Sequence, residues 1–254
     1  MSDAADELFS ALSLAGGDPT RLRRLLGERD PTDAVLATVL LRPVSPQLLT
    51  VVAQTAPWSD RPILLGRVAA NPRTPRHVAL AALPALHWRD LAVVAGTPAV
   101  APSVRLRAEL RLLELLDDLR FGDRITLARM ATARLFAALL GDSERRVLEA
   151  CLENPRLREA DLALALGRPE ASRVLTEATA ASPRWVRVYG VRLALVLQTR
   201  TPLAIALEHV SSLNPADLRR VAGTREALPL VRAAAETVLE RLSSGAKTPT
   251  GSDG

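Results

Sequence analysis

Apolar residues recur every three to four positions along most of the chain, and polar residues fill the positions between them. This spacing places the apolar side chains on one side of an α-helix. It is clearest from Pro102 to Leu119, where seven apolar residues form one broad stripe. The pattern predicts short helices throughout: three before residue 43, and others over 47–56, 62–70, 77–83, 88–95, 102–119, 124–130, 132–140, 143–152, 159–166, 170–178 and 185–197.

Turn-forming residues mark the corners between these helices. The clearest corner is Asn71–Pro75, where a threonine that suits the N-cap precedes a proline that suits the first helical turn. Similar corners occur at Asp30-Pro31, Asn154-Pro155 and Gln198-Thr199, so that the intervals are 41, 83 and 44 residues. These intervals are about one, two and one times 42 residues. A unit of about 42 residues is found in several helical-repeat architectures.

One stretch of the chain occurs twice. Residues 71–115 align without a gap on residues 198–242, at an offset of 127, and 19 of the 45 positions are identical. Composition alone would give identity at about a tenth of the positions, so the match indicates an internal duplication. The correspondence extends backwards more weakly, through Trp58 onto Trp185 and Ser45 onto Ser172. We therefore predict two tandem copies, over about 45–116 and 172–242.

Composition favours an all-α fold. Hydrophobic residues make up 48% of the chain but aromatic residues only 3%, and the apolar positions are mostly Ala and Leu, which form helices readily. A pair of short helices cannot bury both of its faces alone, so successive pairs are expected to stack. We predict one repeat domain over residues 1–243. The segment 244–254 has no apolar anchor and is predicted to be a disordered tail.

The corners and helix starts resemble those of two families of helical-repeat proteins. Asp142–Leu148 is similar to the turn and second-helix start of a HEAT repeat, and the segment from Trp185 to Pro202 is similar to the variant leucine-rich repeat. Both resemblances imply a right-handed α-solenoid that serves as a scaffold, without a common chemistry. Phe121–Asp123 departs from the pattern because it lacks the Asn-Pro corner, and we expect it to interrupt the helices, with Asp123 capping the next one.

The net charge and the N-terminal sequence bear on the partners and the location of the protein. The net charge is +5 and the pI about 10.7, but all except one of the 33 basic residues are Arg, whose high pKa inflates the pI. This mild excess is weak support for polyanion binding. Acidic residues at positions 3, 6 and 7 stand where a secretory signal would be basic, and no apolar run is long enough to span a membrane. We expect a cytoplasmic protein without a membrane partner.

Few residues have the spacing of a catalytic, cofactor-binding or metal-binding site. Cys151 is the single cysteine, which excludes an internal disulfide, and no metal-binding spacing accompanies His77, His87 or His209. Neither a glycine-rich phosphate loop nor a nucleophile elbow occurs. We therefore predict that the protein is not an enzyme, and that it has no cofactor and no metal site.

Two polar pairs occur in both copies: Asp90 with Arg105, and Asp217 with Arg232. One interpretation makes them anion-binding or catalytic carboxylate sites, with the two arginines as binding residues. The other interpretation, which we favour, makes them ion pairs or helix caps that fix how neighbouring helices stack.

The three tryptophans are the other binding candidates. Trp58 and Trp185 are equivalent in the two copies and have arginines nearby, a combination that can stack on nucleobases. Large rings wedged between repeats explain the same pattern, and we favour that interpretation. Trp88 differs, because the second copy has Pro215 in its place.

Two functions follow from these observations. The first, which we favour, is a scaffold that docks another protein, with specificity in exposed residues that differ between the copies. Trp88 against Pro215 and His87 against Asn214 are such differences. The second is a nucleic-acid-binding solenoid that acts on DNA bases, because a basic solenoid with paired tryptophans is similar to the HEAT-like DNA glycosylases.

Overall fold

The computed structural model describes residues 2–245, and all regular structure in this range is helical, without a β-strand. The all-α prediction is confirmed. The first eight helices are α1 (Ser2–Leu14), α2 (Pro19–Arg29), α3 (Asp33–Leu40), α4 (Pro46–Gln54), α5 (Pro62–Ala70), α6 (Arg76–Ala82), α7 (Trp88–Gly96) and α8 (Pro102–Leu115). The others are α9 (Phe121–Met130), α10 (Ala133–Leu139), α11 (Arg145–Glu153), α12 (Glu159–Leu166), α13 (Arg173–Ala180), α14 (Tyr189–Leu197), α15 (Leu203–Val210), α16 (Pro215–Gly223) and α17 (Pro229–Gly245).

Prolines and short polar side chains determine where many helices begin. The helices α2, α4, α5, α8, α16 and α17 have proline at their first position, where the missing N–H leaves no hydrogen bond unmade. The Ser45 hydroxyl caps α4 by accepting a hydrogen bond from the Leu48 N–H at 3.2 Å. Ser172 caps α13 in the same way, through the Leu175 N–H at 3.1 Å.

Several predicted boundaries differ from the structure. Phe121–Asp123 does not interrupt the helices; it forms the first turn of α9, because one glycine weakens a helix by only about 1 kcal/mol. The helix predicted over 102–119 ends at Leu115, and a 3-10 turn follows over Leu116–Asp118. The helix predicted over 185–197 begins at Tyr189, after a run of turns. Helix α17 continues to Gly245, and the rest of the predicted tail lies outside the described residues.

The chain divides into two compact units, and the first is Met1–Asp123. Within it α1, α3, α5 and α7 form one row in which each helix contacts the next, and α2, α4, α6 and α8 form a second row. The rows also touch, since α5 contacts both α4 and α6, and α7 contacts α8. The buried interior is aliphatic and includes Leu22, Leu26, Leu36, Leu40, Leu48, Leu49 and Leu64.

The second unit is Arg124–Gly254. Here α10, α12, α14 and α16 form a row of successive contacts, while α11 packs on α13 and α15 on α17. The aliphatic core around the last four helices buries Val196, Ala206, Val210, Leu218, Val221 and Val231. Helix α14 therefore has α12 on one side and α16 on the other.

Three buried amide side chains join corners to the ends of earlier helices. Asn71, which follows α5, donates to two backbone carbonyls at the end of α3, at 2.7 and 2.9 Å. Gln198, which follows α14, donates to two carbonyls at the end of α12, at 2.6 and 2.8 Å. Asn154 connects the end of α11 to the end of α9. Each amide adds a hydrogen bond to carbonyls at or near a helix end, so it holds one helix in place against another.

Candidate docking groove

A groove of about 560 Å³ lies on the row α12, α14 and α16 of the second unit. Its floor is one side of α14, where Gly190, Leu193, Ala194 and Leu197 follow one another at helical spacing. The end of α12 borders the floor on one side, and the end of α16 with the loop after it borders the other. The remaining lining residues are Ala163, Leu166, Gly167, Pro169, Gln198, Thr199, Arg220 and Glu226.

The groove floor is apolar but only partly buried. The four floor residues of α14 are all partly exposed, while Val191, Leu195 and Val196 of the same helix are buried. Helix α14 thus carries apolar side chains on more of its circumference than its packing inside the unit covers. Uncovered apolar surface of this kind is typical of binding grooves.

In the first unit an aspartate lies against α5, the helix that corresponds to α14. At the offset of 127, Gly66 of α5 corresponds to Leu193 of α14. Gly66 is buried, and a Cβ added to it would lie only 2.9 Å from Cγ of Asp90. Asp90 therefore lies against the α5 backbone, an approach that a leucine side chain at this position would prevent.

Asp217, the counterpart of Asp90, contacts the N-terminal end of the neighbouring helix α14. Its carboxylate accepts a hydrogen bond from the Tyr189 hydroxyl at 2.5 Å and one from the Asn214 side-chain amide at 2.9 Å. Burial and the hydrogen bond to Asp217 raise the pKa of Tyr189, so the hydroxyl stays protonated and donates at neutral pH. This cluster links the N-terminal ends of α14 and α16.

Two charged side chains border the apolar floor. Arg220 lies in the last turn of α16, Glu226 lies in the loop that follows, and both are exposed. Within residues 2–245 no ion pair involves either of them. A positive and a negative group are therefore free to contact a bound molecule.

The three tryptophans predicted as binding residues are buried. Their exposed fractions are 7% for Trp58, 4% for Trp88 and 3% for Trp185. The Trp185 indole N–H donates to the Leu152 carbonyl at 2.9 Å, and the Arg184 guanidinium lies 4.4 Å from the ring centroid. Stacking on a ligand would require these rings to leave the core, and none of them lines the groove.

The predicted polar pairs are not brought together. No ion pair in the described part of the chain joins Asp90 to Arg105 or Asp217 to Arg232. The Nε atoms of both arginines are buried without a hydrogen-bond partner. Each aspartate lies in the first turn of its helix, α7 or α16, where the helix dipole favours a carboxylate without help from an arginine.

The cysteine and the histidines lie away from the groove. Cys151 is buried, and burial, with a smaller effect of Asp142, raises the pKa of its thiol to about 12. His87 caps α7, because its Nδ1 accepts a hydrogen bond from the Arg89 N–H at 3.3 Å. Across residues 2–245, His, Cys, Asp and Glu side chains do not gather in a group of three or more that could hold a metal ion.

Sequence reasoning did not find the groove residues. A usable signal was present, because small and leucine side chains alternate on one face of α14 at positions 190, 193, 194 and 197. The exchange of Gly66 for Leu193 between the copies was a second signal. Neither signal identifies a groove unless α12 and α16 are known to border that face of α14.

Comparison with protein-family models, with curated proteins and with solved structures finds no match for this chain. Its function therefore has to be argued from the groove itself. Among the described helices, none combines the length and the apolar character needed to cross a membrane.

Proposed function

We propose that the protein is an α-solenoid of HEAT-like repeats, built from two tandem copies, and that it acts as a scaffold that docks another protein. The observation that carries the proposal is the groove: a partly exposed apolar helix face, bordered by Arg220 and Glu226, on a row of stacked helices. A protein segment is the partner that supplies both apolar side chains and charges to such a surface.

The positions of the helices support the duplication. Helices α4 to α8 begin at residues 46, 62, 76, 88 and 102, and α13 to α17 begin at 173, 189, 203, 215 and 229. Each start in the second series lies 127 residues after its counterpart, the offset of the sequence match. The serine caps at 45 and 172 and the buried amides at 71 and 198 obey the same offset.

The lining of the groove favours binding over catalysis. It contains no histidine and no cysteine, and the amide of Gln198 is occupied by the carbonyls at the end of α12. What remains is apolar area, the Thr199 hydroxyl and two charges of opposite sign. Such a lining gives affinity and orientation, but it lacks a nucleophile placed next to a base.

The nucleic-acid alternative finds less support at this site. Glu226 borders the groove, and the Glu159 carboxylate lies against Gly190 at the opposite end of the floor. Carboxylates repel phosphates, and an apolar floor offers a nucleic-acid backbone no hydrogen bonds.

Site-specific photo-crosslinking in the producing cells tests the docking function. A benzophenone amino acid is placed at Ala194, on the groove floor, or at Ala160, which is exposed on α12 but does not line the groove. We expect a discrete protein adduct from position 194 and none from position 160. Equal labelling at both positions, or none at 194, would contradict the proposal, and an adduct removed by nuclease would favour the nucleic-acid alternative.

A further inference from the structure

We propose that the segment bound in the groove is an amphipathic α-helix that presents leucine-type side chains at helical spacing and a carboxylate to Arg220. This inference rests on the proposed docking function and specifies the chemistry of the partner. Three features of the groove carry it: the size of the lining side chains, the state of the backbone around them, and the two free charges.

Small side chains give a second helix room to approach. Ala163 of α12, Gly167 directly after it and Ala194 of α14 line the groove. The fourth small residue, Gly190, gives no free room, because the Glu159 carboxylate already lies against it. The floor from residue 190 to 197 spans about 10 Å, or two turns. Ridges of leucine side chains on a partner helix fit a groove between two helices.

The backbone around the groove has no free hydrogen-bonding edge. At the end of α12 the Gly167 N–H bonds to the Ala163 carbonyl at 2.9 Å, and at the end of α14 the Gln198 N–H bonds to the Ala194 carbonyl at 3.0 Å. An extended peptide gains its affinity from backbone pairing with a strand edge, which a helical wall does not offer. A helical segment satisfies its own backbone and needs only side-chain contacts.

The charged residues beside the groove indicate which charges the partner helix carries next to its leucines. Arg220 and Glu226 are both exposed and free of ion pairs, as shown above. Arg220 is next to Arg219, which is equally exposed but does not line the groove. A carboxylate beside the leucine ridge would therefore meet Arg220 and not Arg219, and this difference makes the proposal testable.

The test uses the full chain and three fluorescein-labelled synthetic helical peptides, with binding followed by anisotropy at low salt. The first peptide has leucines at i, i+4 and i+7 flanked by glutamates; the second has lysines in place of the glutamates; the third has glutamines in place of the leucines. We expect the first two to bind and the third not to bind. Arg220→Glu should weaken the first peptide about fivefold and strengthen the second, while Arg219→Glu should change neither by more than about twofold.

The results of the peptide-binding and crosslinking experiments lead to different conclusions. Equal effects of Arg219→Glu and Arg220→Glu on the first peptide would overturn the assignment of the carboxylate to Arg220. If no peptide binds but position 194 still crosslinks to a protein, the docking function stands and the helical partner is wrong. If both experiments fail, the docking function fails as well. Matching thermal unfolding of the two variants would show that both remain folded.

Discussion

At the scale of single residues, the buried amides are the side chains on which the packing of successive helices depends most directly. An amide taken out of water without partners costs free energy, so its burial is tolerated only where its hydrogen bonds are made. Asn71 makes three: its amide donates to the Leu40 and Arg42 carbonyls, and its side-chain oxygen accepts from the Arg73 N–H. The side chain therefore both shapes the corner after α5 and closes the end of α3.

Asn71→Ala is expected to lower the free energy of unfolding by about 2–3 kcal/mol, because the buried Leu40 carbonyl loses a donor and the Arg42 carbonyl keeps only the Val44 N–H. The matched control is Asn214→Ala, which removes an exposed N-cap of α16 and should cost about 1 kcal/mol. Urea denaturation followed by circular dichroism measures both. A smaller loss for Asn71→Ala than for Asn214→Ala would show that the buried amide does not hold these helices together.

The corner at Asn71 was predictable from sequence, but the role of its amide was not. Asn-Pro between two apolar runs indicates a turn through local chemistry alone. The carbonyls that the amide contacts lie about 30 positions earlier in the chain, and sequence periodicity does not show which helix end comes near. The same reason explains why Asp90 and Arg105 were predicted to pair: duplication shows that both residues matter, but not what each one touches.

At the scale of helices, the spacing of apolar residues and the prolines predicted most helices. The wrong start of α14 lies where long-range contacts determine the local structure. The sequence predicts that a helix begins at Trp185, but residues 185–187 form turns. In those turns the Trp185 indole bonds to a carbonyl of α11 and the Arg184 guanidinium bonds to carbonyls at 152, 154 and 157. These tertiary hydrogen bonds outweigh a helix preference that differs little between most residues.

Two glycines at helix–helix contacts should respond in opposite ways to alanine. In Gly66→Ala the new Cβ meets Cγ and Cβ of Asp90, which cannot move without moving α7, so we expect a loss of about 1–3 kcal/mol. In Gly190→Ala the new Cβ meets only the end of the exposed Glu159 side chain, which can turn away. Here we expect a change within about 1 kcal/mol, in the stabilising direction because alanine favours helix.

Thermal and urea unfolding of the two variants measure this difference. Equal destabilisation by both substitutions would contradict the claim that Asp90 is held against α5 while the Glu159 side chain can turn away from α14.

At the scale of the whole molecule, the internal duplication was readable from sequence, whereas the groove was not. The repeated residues identify what the two copies share, and a binding surface lies in what they do not share. Leu193 in place of Gly66 and Arg220 in place of Val93 are ordinary substitutions in a list of differences. Only the row α12, α14 and α16 shows that these two differences border one cavity.

Hydrogen–deuterium exchange of the full chain, with and without the glutamate-flanked leucine peptide, tests the central claim most directly. The account predicts slower exchange on binding in residues 163–169, 190–199 and 220–226, which line the groove. The equivalent segments of the first unit, 36–42, 63–72 and 93–99, serve as an internal control and should not change. Protection in the first-unit segments, or protection spread evenly over both units, would contradict the account.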